Sequence, residues 1–166
     1  MTFAPRTWVV GEVVTAALMN QEIRDQVNSM LAAWTAYTPA WSGTGTAIGN
    51  GTINGRYMLI GKTCTVNVEM VFGTTSNVGT GVYAWSLPFT AASPAGSSAN
   101  YSYNGSARGH AANWYAGTAS VNKGGSTARI FNHAPSPATE WAPTVPVTWA
   151  AATTNYIHFT LTFETV

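Results

Sequence analysis

Residues 55 to 72 constrain the fold of this chain more than any other stretch: Gly55-Arg56-Tyr57-Met58-Leu59-Ile60-Gly61-Lys62-Thr63-Cys64-Thr65-Val66-Asn67-Val68-Glu69-Met70-Val71-Phe72. Cys64, Val66, Val68, Met70 and Phe72 fall on one side of an extended backbone, and Thr63, Thr65, Asn67 and Glu69 fall on the other. A period of two belongs to a half-buried strand, since a helix would bring together residues three and four apart. Gly61-Lys62 marks the point where two such strands fold back on each other, with glycine supplying the positive φ of a tight hairpin turn.

The same alternation returns elsewhere. Ile157, Phe159, Leu161 and Phe163 face one way, while Tyr156, His158, Thr160, Thr162 and Glu164 face the other. Tyr83, Trp85 and Leu87 alternate with Val82, Ala84 and Ser86 as far as Pro88. Tyr101 to Arg108 and Ala111 to Val121 read as two strands broken by Gly109, and Lys123-Gly124-Gly125 turns into a further strand over Thr127 to His133. Tyr37-Thr38-Pro39-Ala40-Trp41 reads as a short edge strand, because proline is tolerated only near the start or edge of a sheet. Residues 43–52, 73–81 and 89–100 are loops rich in Gly, Thr, Ser and Ala, and Pro135, Pro137, Pro143 and Pro146 make 134–146 an irregular connection. Short strands separated by turn signals, with no helical pattern after residue 34, predict a mainly β protein: an antiparallel β-sandwich of the jelly-roll type.

The stretch before this β region is of a different kind. Thr15 is placed to cap a helix, and Met19, Ile23, Val27, Met30, Leu31 and Trp34 follow at the spacing of one helical face. Ile23 and Met30 fit d positions, Val27 and Trp34 fit a positions, and Asn20 stands one heptad earlier at a, where a polar residue fixes register. A short coil and a single amphipathic helix lying on a neighbour both fit this pattern. Phe3 and Trp8 precede the helix with little local sequence to bury them. The chain is therefore divided into a docking segment over 1–36, with an extended start and a helix at about 15–34, and a β-domain over 37–166. Phe3, Trp8, Met19, Asn20, Ile23, Val27, Met30 and Trp34 are its predicted docking or oligomerisation residues.

Charged residues make up 8% of the 166, against a usual ~25%. A freely solvated surface normally carries more charge, so much of this one is expected to be covered by other protein. An extracellular β-protein kept soluble by hydroxyls and amides is the other reading. The formal net charge of +1, with no cluster of Lys or Arg, argues against nucleic acid or an anionic membrane as partner. Cys64 is the single cysteine, so no intramolecular disulfide is expected, and its inward parity makes it a small core hydrophobe. No apolar run has the length of a membrane span or the form of a signal peptide, which predicts a chain made in the cytoplasm without membrane insertion.

Chemistry-bearing residues are few. Asp25 is the only aspartate and lies in the helix, leaving Glu69, Glu140 and Glu164 as the carboxylates of the β-domain. Glycoside hydrolysis needs two carboxyl groups held either side of a scissile bond, and no spacing here provides them. No nucleophile elbow, metalloprotease helix or phosphate-binding loop is present, so no enzyme, no cofactor and no metal site is expected. His110, His133 and His158 are isolated in sequence, although a three-fold axis would gather one His158 from each copy. Tyr101, Tyr103, Trp114, Tyr115 and Trp141 lie in the loop-rich second half, where an exposed ring can stack on a sugar. Trp114 and Tyr115 are adjacent, so one points in and one out. Tyr115 and the loop residue Trp141 are the predicted glycan contacts.

The segment Pro5-Arg6-Thr7-Trp8-Val9-Val10-Gly11-Glu12-Val13-Val14-Thr15-Ala16-Ala17-Leu18-Met19-Asn20, followed by Ile23-Arg24-Asp25 and Asn28, resembles the N-terminal segment of phage minor tail and tail-fibre proteins. Gly55-x-Tyr57-x-x-Ile60-Gly61-Lys62, then an alternating strand and Leu87-Pro88, resembles phage fibre tips and related trimeric jelly rolls of the tumour necrosis factor type. The resemblance implies a virion structural protein, synthesised in the bacterial host cytoplasm. Its place would be in the minor tail, tail tip or fibre, with non-catalytic host attachment as its role; capsid decoration or a head fibre is the alternative. The partners it implies are two further copies in a homotrimer, other virion proteins through the docking segment, and host cell-wall glycan at the distal loops.

Overall fold

The computed structural model describes residues 7–133 and 139–166; Phe3, Pro135 and Pro137 lie outside the described residues. The strands are β1 (Thr35–Tyr37), β2 (Trp41–Ser42), β3 (Thr52–Ile60), β4 (Thr63–Val71), β5 (Ala84–Ser86), β6 (Ser102–Ala111), β7 (Asn113–Asn122), β8 (Thr127–Asn132) and β9 (Tyr156–Glu164). Among the described residues these form one antiparallel sheet in the order β1-β3-β4-β9-β6-β7-β8-β5-β2.

β1 and β2 are opposite edges of that sheet, yet only Thr38, Pro39 and Ala40 separate them in the chain. Extended backbone advances at most ~3.5 Å per residue, so the two edges lie within about 14 Å of each other. The sheet is therefore curled back on itself, and the seam is tied by hydrogen bonds. Ser86 N–H donates to the Ala40 carbonyl at 2.9 Å, and Ala40 N–H donates to Ser86 Oγ at 2.8 Å. Across the interior, Trp85 of β5 meets Phe159 of β9 edge to face at 5.6 Å. The result is a mainly β, antiparallel sandwich of the jelly-roll kind.

The alternating stretches supply its core. Cys64, Val66, Val68, Met70 and Phe72 are buried, as are Ile157, Phe159, Leu161 and Phe163 on the neighbouring strand. Gly61 has φ +59° at the first central position of the β3–β4 turn, between the paired residues Ile60 and Thr63. Two expectations are corrected here. Gly109 does not break a strand: β6 runs through it to Ala111, and the turn comes at Ala112, with φ +63°. Pro39 does not sit in one edge strand, because the chain leaves β1 before it and enters β2 on the other side of the seam after it.

The helical segment is shorter than predicted. Thr15 Oγ1 accepts from Leu18 N–H at 3.3 Å and opens α1 (Ala16–Met19); a π-helical turn (Asn20–Arg24) leads into α2 (Asp25–Met30). Ala32 and Ala33 would extend a helix on propensity alone, but Thr35, Ala36 and Tyr37 pair with Tyr57, Arg56 and Gly55 of β3. Sheet pairing outweighs the weak local preference. The β unit consequently begins at Thr35, and a boundary between residues 36 and 37 would cut through β1.

Candidate functional site

The parity that buries one side of β4, β9 and β6 sends the other side outward, and the pairing register sets its residues in rows. One row runs Asn54, Glu69, His158, Arg108, Ala116 across β3, β4, β9, β6 and β7. The next holds Val71, Tyr156, His110 and Trp114, and the row on the opposite side holds Arg56, Asn67, Thr160, Ser106 and Thr118. An acid, an imidazole and a guanidinium thus stand side by side, flanked by aromatic groups on one side and by amide and hydroxyl groups on the other.

The aromatic row is held by its own contacts. The Arg108 guanidinium lies 3.4 Å above the Trp114 ring, and the His110 ring approaches the same indole at 4.7 Å. His110 stacks on Tyr156 at 5.5 Å, and Tyr156 on His158 at 6.2 Å. His110 Nδ1 is 3.1 Å from the Thr154 carbonyl oxygen. That oxygen can only accept, so Nδ1 carries the proton. On the polar side Asn67 Nδ2 donates to Thr160 Oγ1 at 3.1 Å.

Two depressions meet at His158. The larger, about 770 Å³, is lined by Tyr37, Asn54, Arg56, Asn67 and Glu69; the smaller, about 350 Å³, by Ser106, Arg108, Trp114, Tyr115 and Thr160. Glu69 and Arg108 make no ion pair with any described residue, whereas Glu140 is bridged to Arg129 at 2.7 Å. Glu69 and Glu140 are not brought together. Among the described residues no group of three His, Cys, Asp or Glu side chains is placed to hold a metal, and His133 Nε2 is instead 3.1 Å from Thr118 Oγ1.

No protein-family model, curated protein or solved structure matches this chain.

Of the predicted glycan contacts, Trp141 is corrected outright. Its side chain is fully buried beside Trp149, ring centroids 5.7 Å apart, and fills space that Gly109 and Gly117 leave open. A loop tryptophan flanked by prolines carries no sequence signal that distinguishes a core plug from a surface platform. For the adjacent pair, in-and-out geometry holds, but Tyr115 is the inward, half-buried member packed against the core and Trp114 is the outward one, 53% exposed. The Glu69, His158 and Arg108 row was missed, although alternation alone assigns Glu69 and His158 an outward parity.

The predicted docking residues belong to the arm before β1, which borders this face where Trp34 meets Arg56. Trp8, Met19, Ile23, Val27, Met30 and Trp34 are each between 38% and 49% exposed, Asn20 is exposed, and Leu31 reaches 78%. One contact with the β unit is a cation over a ring, with the Arg56 guanidinium 5.2 Å from the Trp34 centroid. Among the described residues no helix is long and apolar enough to cross a membrane.

Proposed function

We propose that this chain is a phage virion structural protein of the minor tail, tail tip or fibre. In this reading the arm before β1 docks to other virion proteins, and the β-sandwich stands as a homotrimer directed at the host cell wall, binding without catalysis. The observation that carries the reading is the arm itself: a run of large apolar side chains left half exposed by their own chain. Apolar surface in water costs about 25 cal/mol per Å², so such an arm gains by meeting another protein. The resemblance of residues 5–28 to tail-protein N-termini supplies the kind of partner.

A purely structural role in capsid decoration is the second reading, favoured by the burial of Trp141, which removes one of the two aromatics expected to meet a glycan. Particles assembled with a chain beginning at Ala33 test both. The proposal expects the full chain on the tail and the shortened chain absent from purified particles. Normal incorporation of the shortened chain overturns docking through the arm, and full chain located on the capsid shell selects the second reading.

A further inference from the structure

We infer that copies of this chain pack on one another through the outer face of β4, β9, β6 and β7, with Glu69 of one copy set against Arg108 of the next. The inference rests on the homo-oligomeric part of the proposed function and names the surface that would carry it. Within one chain the two charges make no ion pair: His158 on β9 stands between them, and two strand spacings of about 4.8 Å separate their backbones. Each is exposed, and neither has an ion-pair partner among the described residues.

The remaining side chains of the face are those that dominate protein contacts. Trp, Tyr and Arg are the residue types enriched at interface hot spots, and here Trp114, Tyr156 and Arg108 are held together with His110 as one cluster of stacked and edge-to-face contacts. One side of the Trp114 indole is already covered by the Arg108 guanidinium, which takes away a surface on which a sugar would stack. An acidic ligand would suit Arg108 but be repelled by Glu69, and a neutral one would bury both charges unpaired. A second copy supplies the opposite charge at each end of the row. Because the row runs from acid through imidazole to cation, a ring of copies can offer the acidic end to one neighbour and the cationic end to the other, closing without a leftover charge. His158, at the centre of the row, would then stand nearest the axis.

Charge reversal in the full-length chain tests this, read by light scattering during gel filtration and by the melting temperature. E69R and R108E each place like charges against each other, which should weaken association at least about tenfold, about 1.4 kcal/mol, and lower the melting temperature. The double variant E69R/R108E rebuilds the pair with its charges exchanged and should restore both mass and melting. Single variants that keep wild-type mass and melting overturn the assignment of this face. Single variants that dissociate without rescue by the double variant overturn the Glu69–Arg108 pairing. A wild-type chain that stays monomeric at every concentration overturns the oligomeric reading itself, and a wild-type mass of two chains keeps the face while removing the number three.

Discussion

At Gly109, two residues before the end of β6, a Cβ atom would stand 2.6 Å from Cη2 of Trp149 and 2.9 Å from Cζ3 of Trp141. Both rings are buried, so neither has open space into which to retreat. G109A is therefore expected to cost about 1–3 kcal/mol through overpacking, seen as a lower urea midpoint at unchanged slope. In one dimension this glycine reads as a strand breaker, because nothing local announces the rings that descend on it from residues 141 and 149. Cys64 shows the opposite case, a residue whose inward parity was legible from its immediate neighbours. Burial pushes its thiol up from the ordinary 9.0 to about 11. A raised folded-state value means that the unfolded thiol ionises first, so this stability is intact below pH ~9 and is lost as pH rises through about 11. The loss from this one group is at most about 3 kcal/mol. Burial also raises Tyr37 and Tyr83, in the same sense. Denaturation at pH 8 and at pH 11 should show the fall, and C64A should flatten part of it; an unchanged slope in C64A would assign the fall to the tyrosines.

At the scale of elements, the hairpins were legible because their determinants are local. Gly61 and Gly124, both with positive φ, sit at turns flanked by alternating strands, and a window of a few residues contains the whole signal. β1 and β2 were not legible in that way. Each is too short for alternation to mark it, and each exists because a distant strand offers it an edge, β3 for one and β5 for the other. The helical segment was overextended for the same reason, its alanines giving no hint that β3 competes for Thr35. The shortened chain proposed above begins at Ala33 for this reason. It keeps β1 whole and loses from the β unit mainly the exposed arm, so its melting temperature should stay within about 3 °C of the full chain. A chain beginning at Thr38 forfeits more. It loses the β1 pairing, the edge-to-face contact of Tyr37 with Tyr57 at 6.0 Å and the cover over Gly55, and should melt about 10 °C lower. Equal melting of the two shortened chains would show that β1 adds nothing to the sandwich.

For the whole molecule the decisive arrangement is that β9 lies in the middle of the sheet, between β4 and β6, although it is the last strand in the chain. Its alternation was plain in the sequence, but its neighbours were not, since pairing such as Thr63 with Glu164 joins residues from distant parts of the chain. The row of Glu69, His158 and Arg108 was hidden for the same reason: the outward parity of Glu69 and His158 was readable, and adjacency was decided only when β9 entered between β4 and β6. Without β9 these two strands have no bond to each other, so β1-β3-β4 stays joined to β6-β7-β8-β5-β2 only across the Ala40–Ser86 seam, with unpaired inner edges. Ile157, Phe159, Leu161 and Phe163, all fully buried, would also leave the core. At about 2 kcal/mol per buried side chain their loss is on the order of 8 kcal/mol, comparable with the entire stability of an ordinary domain. A chain ended at Asn155 is therefore expected not to fold, in contrast to the small effect of removing the arm. Near-ultraviolet circular dichroism should lose its tryptophan signal and a hydrophobic dye should bind; a cooperative melt from the shortened chain would mean that β4 and β6 can hold the sandwich together without the strand between them.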